Sequence, residues 1–125
     1  MKNLKDRVIA ITGGATGIGF ALAKNLGLEG AKIIIGEPRE DKLKGAFKSL
    51  TDLNIEANYI KLDVTNLKSV EDFAKFTCDC FGHVDILINN AGISAGQGQI
   101  YKANIEDARK VFDVNFFGVW HGCAA

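Results

Sequence analysis

Four short apolar runs, each followed by residues with helical spacing, constrain the fold of this chain more than any other feature. The runs cover residues 7–12, 32–35, 57–62 and 84–89. The second contains Ile33, Ile34 and Ile35 in succession, so a strand there is apolar on both faces. Leu43, Ala46, Phe47 and Leu50 form one helical stripe, and Val70, Phe73, Ala74, Thr77, Cys80 and Phe81 form another. Helices are expected over 17–30 and 39–53, and from a cap at Thr65 or Asn66 to about residue 81. Asn104 caps a last helix, with Glu106 and Asp107 in its first turn, where the helix dipole favours acids. This alternation predicts an α/β fold, a parallel sheet with helices on both faces. Right-handed crossovers restrict it to a doubly wound order, 3-2-1-4. The third run carries Asn58 and Lys61, which suits a sheet edge. Residues 1–125 are read as a single domain.

The turn after the first strand reads Thr12-Gly13-Gly14-Ala15-Thr16-Gly17-Ile18-Gly19. Glycines at 13, 17 and 19 permit a tight turn, close approach of backbone to a pyrophosphate, and close packing of helix on sheet. Free N–H groups at the helix start favour phosphate charge. The spacing alone is weak; its position between an apolar strand and a helix gives it weight. Glu37 ends the second strand, where a carboxylate accepts hydrogen bonds from a ribose 2′-hydroxyl and repels a 2′-phosphate. That favours NAD over NADP. Arg39 pulls the other way, since it could pair with a 2′-phosphate, and a solvated charge is the plain alternative for both. Asn89-Asn90-Ala91-Gly92 ends the fourth strand. In the order 3-2-1-4 it lies beside the glycine turn, at the crevice where such sheets bind ligands. An ordinary Asn/Gly turn is the alternative there.

Taken together, these elements resemble the classical short-chain dehydrogenase/reductase family. The resemblance rests on Thr12-Gly13-x-x-x-Gly17-x-Gly19, Asp63-Val64, the segment from Asp85 through Asn89-Asn90-Ala91-Gly92, and Val114-Asn115-Phe116-Phe117-Gly118, in family order and spacing. It implies a Rossmann-like domain that binds a nicotinamide dinucleotide and moves hydride between NAD(H) and a small alcohol or ketone. An NADP-dependent carbonyl reductase is the alternative within that class. Gly13, Thr16, Gly17, Ile18 and Gly19 would form the phosphate loop. Asp63 would contact the adenine amino group, with Val64 beside the ring. Asn90, Ala91 and Gly92 would line the adenine ribose and the nicotinamide side, and Asp85 would be structural. Asn115 resembles the family's catalytic asparagine, which holds a water in a proton relay to a lysine. Asn is a mediocre helix former, so its place mid-helix among Val111, Phe112, Phe116, Val119 and Trp120 agrees with such a role; a tolerated polar residue near a kink is the alternative.

The family's Tyr-x-x-x-Lys is missing: Asp63 follows Tyr59 by four positions, and Ile105 so follows Tyr101. The family's serine belongs to a fifth strand, and Ser94 comes too early to replace it. The expectation is therefore the N-terminal half of such an enzyme, truncated before the fifth strand and inactive alone. A non-catalytic NAD-binding module and a non-functional remnant are the competing readings. The resemblance also implies a homo-oligomer when intact, with Phe117 or Trp120 available for contact. The segment Ile93-Ser94-Ala95-Gly96-Gln97-Gly98-Gln99 reads as small and flexible.

Composition closes off other classes. Fifteen Lys and Arg against fifteen Asp and Glu leave a net charge of zero, with no basic cluster for nucleic acid. The first apolar run is too short for a signal peptide or a membrane helix, so the cytoplasm is expected. Three cysteines suggest no disulfide framework, and Cys78 and Cys80 point to different faces of a helix, as buried or half-buried thiols. Neither these nor His83 and His121 make a metal site; the histidines read as surface or interface residues.

Overall fold

The computed structural model describes residues 3–94 and 102–125. Four parallel strands, β1 (Val8–Thr12), β2 (Lys32–Glu37), β3 (Ala57–Lys61) and β4 (Ile86–Ile88), form one sheet in the order β3-β2-β1-β4. Helices α1 (Gly17–Leu28), α2 (Glu40–Asp52) and α3 (Leu67–Phe81) make the crossovers. The expected doubly wound α/β order is the one observed, with β3 on an edge. After β4 come α4 (Ile105–Phe112), a π-helical turn (Asp113–Phe117) and α5 (Gly118–Ala124).

The isoleucine run explains why the sheet is covered twice. Ile33 and Ile35 join Ile9, Ile11, Leu43 and Leu50 on the face packed by α1 and α2. Ile34 points the other way, joining Ala10, Leu62, Val70 and Phe73 under α3. All three isoleucines are fully buried. Each such burial contributes about 1.5–3 kcal/mol, which makes β2 the spine of the molecule. The edge strands β3 and β4 are only half-buried.

Several boundaries differ from the sequence expectation. Strand β4 is Ile86–Ile88, shorter than 84–89, because Val84 lies exposed before it and Asn89 turns out of it. Asn66, not Thr65, caps α3, accepting from the Ser69 N–H at 3.3 Å. Asn104 caps α4 through the Glu106 N–H at 2.8 Å. The last helix changes from α to π geometry over Asp113–Phe117, a turn that contains Asn115, and returns to α at Gly118. Cys78 is exposed rather than buried, as is Cys123, and Cys80 is half-buried. Within the small loop after β4, residues 95–99 lie outside the described residues, while Ile93 and Ser94 are exposed. Among the described residues no helix is long and apolar enough to cross a membrane.

Asp85 ties the start of β4 to the start of β1. Its Oδ2 accepts from the Val8 N–H at 2.8 Å, and its Oδ1 from Arg7 Nη1 at 3.0 Å. His83 Nε2 lies 2.9 Å from Oδ2. The Val8 N–H first, then Arg7 and His83, hold this carboxyl below the ordinary carboxylate range, against a smaller opposing effect of burial. A lowered pKa stabilises the fold above the unfolded value, near pH 4, and that contribution disappears as pH falls through the folded value. Melting temperature should therefore fall on acidification below about pH 4. Asp85→Asn should be less stable at neutral pH and lose less on acidification, as read by circular dichroism melts across pH. Parallel pH profiles for the two proteins would contradict this.

Candidate functional site

The turn between β1 and α1 needs two glycines for distinct reasons. Gly13 has φ +65°, and a Cβ there would sit 3.0 Å from Ala91 Cα. A Cβ on Gly19 would sit 2.1 Å from Gly13 O and 2.5 Å from Asn90 Nδ2. Absent side chains at 13 and 19 thus let loop, helix and β4 turn converge. The Gly13 N–H donates to Gly36 O at 2.8 Å, anchoring the loop on β2. Thr16 precedes α1 without a side-chain capping bond, and no acidic residue sits in the first turn. Among the described residues, the N–H groups of Gly17, Ile18 and Gly19 have no acceptor. They carry the positive end of the helix dipole.

Thr12 joins the two turns, a role the sequence analysis did not assign. Its hydroxyl oxygen accepts from the N–H groups of Asn90 and Ala91, both at 3.0 Å. Asn90 Nδ2 donates back to Thr12 O and Gly13 O, both at 3.1 Å. A β-branched hydroxyl at the end of an apolar run, before a glycine, was the available signal.

The rim is made by the ends of β2 and β3. Glu37 is 4% exposed, and Arg39 Nε donates to its Oε1 at 2.5 Å. The Arg39 N–H donates weakly to the same oxygen at 3.4 Å. The bond with Glu37 holds the Arg39 guanidinium above its usual pKa. Asp63 Oδ1 accepts from the Thr65 N–H at 3.0 Å and the Thr65 hydroxyl at 2.7 Å. Among the described residues, Glu37 Oε2 and Asp63 Oδ2 carry no hydrogen bond. Val64 is buried against Gly118 of α5, and its carbonyl accepts from His121 Nδ1 at 2.7 Å. His121 is thus a packing residue, and His83 serves Asp85.

These parts enclose a cleft of about 470 Å³ at the carboxyl ends of the strands. Of the expected cofactor residues, Gly13, Thr16, Ile18, Glu37, Asp63, Val64, Asn90, Ala91 and Gly92 line it. Gly17 and Gly19 flank Ile18 in the first turn of α1 but do not line the cleft themselves. Asn115 does not line it; it borders a second groove of about 520 Å³ with Phe116 and Trp120. It reaches the cleft through Ile93. Its Oδ1 accepts from the Ile93 N–H and its Nδ2 donates to Ile93 O, both at 2.8 Å. Among the described residues, no group of three or more His, Cys, Asp or Glu side chains could hold a metal.

Gly19→Ala should destabilise the chain by about 1–3 kcal/mol, because its Cβ meets rigid backbone. Gly45→Ala, on the exposed face of α2 with nothing within 4 Å, should instead stabilise it by about 0.5–1 kcal/mol. Denaturant unfolding of the two variants checks the contrast; a neutral Gly19→Ala would remove the close approach from the argument.

Known proteins share this arrangement. A short chain dehydrogenase/reductase from Burkholderia phymatum in complex with NAD superposes with a TM-score of 0.94 at 32% identity, over 99% of this chain and 44% of that one. Levodione reductase superposes at 0.93 with 31% identity, over 98% of this chain and 48% of that one. The uncharacterized oxidoreductase YxnA of Bacillus subtilis (strain 168) is 34% identical over 125 residues, 100% of this chain and 35% of that protein. The CLA biosynthesis dehydrogenase/reductase of Lactiplantibacillus plantarum is 35% identical over 115 residues, 92% of this chain and 40% of that protein. The chain spans less than half the length of these relatives. The family model described as short chain dehydrogenase matches residues 7–125, which takes in every strand of the sheet, and this chain belongs to that family.

Proposed function

We propose that this chain binds NAD in the cleft and, in the intact protein, presents it to a small alcohol or ketone. One observation carries the reading: Ile18, whose N–H is one of the acceptor-less amides that open α1, lines the same cleft as the Glu37 carboxylate. Amides at a helix N-terminus suit a pyrophosphate, and a carboxylate with a free oxygen suits a ribose diol. Neither suits an apolar ligand. The loop fits the group, since glycine at 13 puts bare backbone in the wall and glycine at 19 lets α1 pack close behind it.

In this reading Gly13, Thr16, Gly17, Ile18 and Gly19 hold the pyrophosphate, and Glu37 accepts from the ribose. Asp63 offers Oδ2 to the adenine amino group, with Val64 beside the ring. Asn90, Ala91 and Gly92 line the remainder. When bound, the nicotinamide supplies the hydride acceptor or donor. Asn115 orients the Ile93 backbone. An amide has two N–H groups and two lone pairs, and Ile93 takes one of each. One of each is left for a water in a proton relay. The serine and Tyr-x-x-x-Lys that would complete proton transfer are not among these 125 residues. We therefore read the isolated chain as a cofactor-binding unit without turnover. For the oligomer proposed for the intact protein, exposed Phe116, Phe117 and Trp120 offer a contact. An NADP-dependent reading would rest on Arg39, which shares the rim.

Calorimetric titration is expected to show NAD binding more tightly than NADP, with no dehydrogenation of simple alcohols. Glu37→Ala should narrow the NAD-over-NADP ratio about tenfold, the loss of one charge-assisted hydrogen bond of about 1.5 kcal/mol. No heat at millimolar NAD, or robust turnover by this chain, would each overturn its part of the reading.

A further inference from the structure

The sequence alone sets Glu37 and Arg39 against each other, one favouring a ribose hydroxyl and the other a phosphate. The structure puts them in one unit. Arg39 donates from Nε to Glu37 Oε1 at 2.5 Å, and its backbone N–H faces the same oxygen. Pro38, the only proline in the sequence, joins them. Its ring fixes one backbone angle at the bend between them. Glu37 is 4% exposed, whereas the Arg39 side chain is 54% exposed. The carboxylate is the fixed, buried member and the guanidinium is its cover from the solvent side.

We infer that Arg39 is a positioning residue for NAD selectivity: it holds Glu37 by one oxygen and leaves the other for the ribose diol. The inference rests on the cleft being the dinucleotide site. The competing role, a ligand for a 2′-phosphate, requires Arg39 to leave Glu37. That would strand a nearly buried carboxylate without its charge partner, beside an incoming dianion. Both costs run against phosphate binding. A pinned carboxylate also loses less rotamer freedom when it binds the ribose. Arg39 touches neither ribose nor reacting atoms in this scheme and acts only through Glu37.

The two roles predict opposite signs. If Arg39 positions Glu37, Arg39→Gln weakens NAD about three- to tenfold and narrows the NAD-over-NADP ratio, the scale of one charge-assisted hydrogen bond. If Arg39 were a phosphate ligand, the same change would weaken NADP and widen the ratio. The test is calorimetric titration of the 125-residue chain with NAD and with NADP, for wild type, R39Q, E37Q and E37Q/R39Q. Thermal melts of each variant verify folding. Action through Glu37 requires that R39Q change NAD affinity in the wild-type background and leave it unchanged in the E37Q background. An unchanged or widened ratio in R39Q, or an equal effect in both backgrounds, overturns the role of Arg39 while leaving the NAD site standing. A wild-type chain that binds neither dinucleotide overturns the site and this inference with it. If R39Q melts below the assay temperature, a second variant decides. R39K still offers a charged donor, so R39M takes its place: it keeps the stem and removes both donor and charge, so a narrowed ratio supports positioning and an unchanged or widened one overturns it.

Discussion

At the seam where β1 and β4 lie side by side, one buried hydroxyl accepts two backbone N–H groups. Thr12 Oγ1 takes those of Asn90 and Ala91, and the Asn90 amide returns two bonds to the carbonyls of Thr12 and Gly13. Each partner is a backbone group that would be costly to leave unpaired in this half-buried region. The glycine turn cannot shift without the Asn-Asn-Ala-Gly turn, because Gly13 and Gly19 also touch Ala91 and Asn90 with no room for a Cβ. The cleft is therefore shaped before any ligand enters. Its floor is the switch point of a doubly wound sheet.

Charge around that floor is arranged by partial use of each group. Glu37 gives one oxygen to Arg39, and Asp63 gives one to Thr65. Each keeps a second oxygen with no partner among the described residues. The first turn of α1 keeps its N–H groups in the same condition. Donors on one side and acceptors on the other match a ligand that is anionic in the middle and rich in hydroxyls at its end. Pairing each carboxylate once also fixes its rotamer, so the arrangement is held without a ligand.

The segment from α4 onward is organised differently. Phe112, Phe116, Phe117 and Trp120 are about half exposed or more, and α4 buries none of its residues. It is held to the sheet at a few points: Gly118 on Val64, Gly122 on Asn89, and the Asn115 clamp on Ile93. The π-helical turn at Asp113–Phe117 includes the clamp residue, a common place for such turns at functional sites. Among the described residues, Asn89 Oδ1 is buried here without a partner, close against Gly122.

The strand–helix alternation, the isoleucine run and the glycine turn were enough to read the α/β class and the 3-2-1-4 order. They are local patterns, and burial on both faces leaves a sheet strand few other sequences. Most of the cleft residues were legible too, because the loops that carry them follow directly from strand ends. Three things were decided only by tertiary contact. Thr12 became the joint of the site because β4, far along the chain, came to lie beside it. Asn115 became a clamp on Ile93 because the helix that carries it came to lie beside the segment after β4. Arg39, which the sequence could only set against Glu37, became its partner because the chain bends at Pro38 and brings the guanidinium to a buried carboxylate. A sequence states which groups are present; which of them is left with a free oxygen or a free N–H depends on neighbours that only folding supplies.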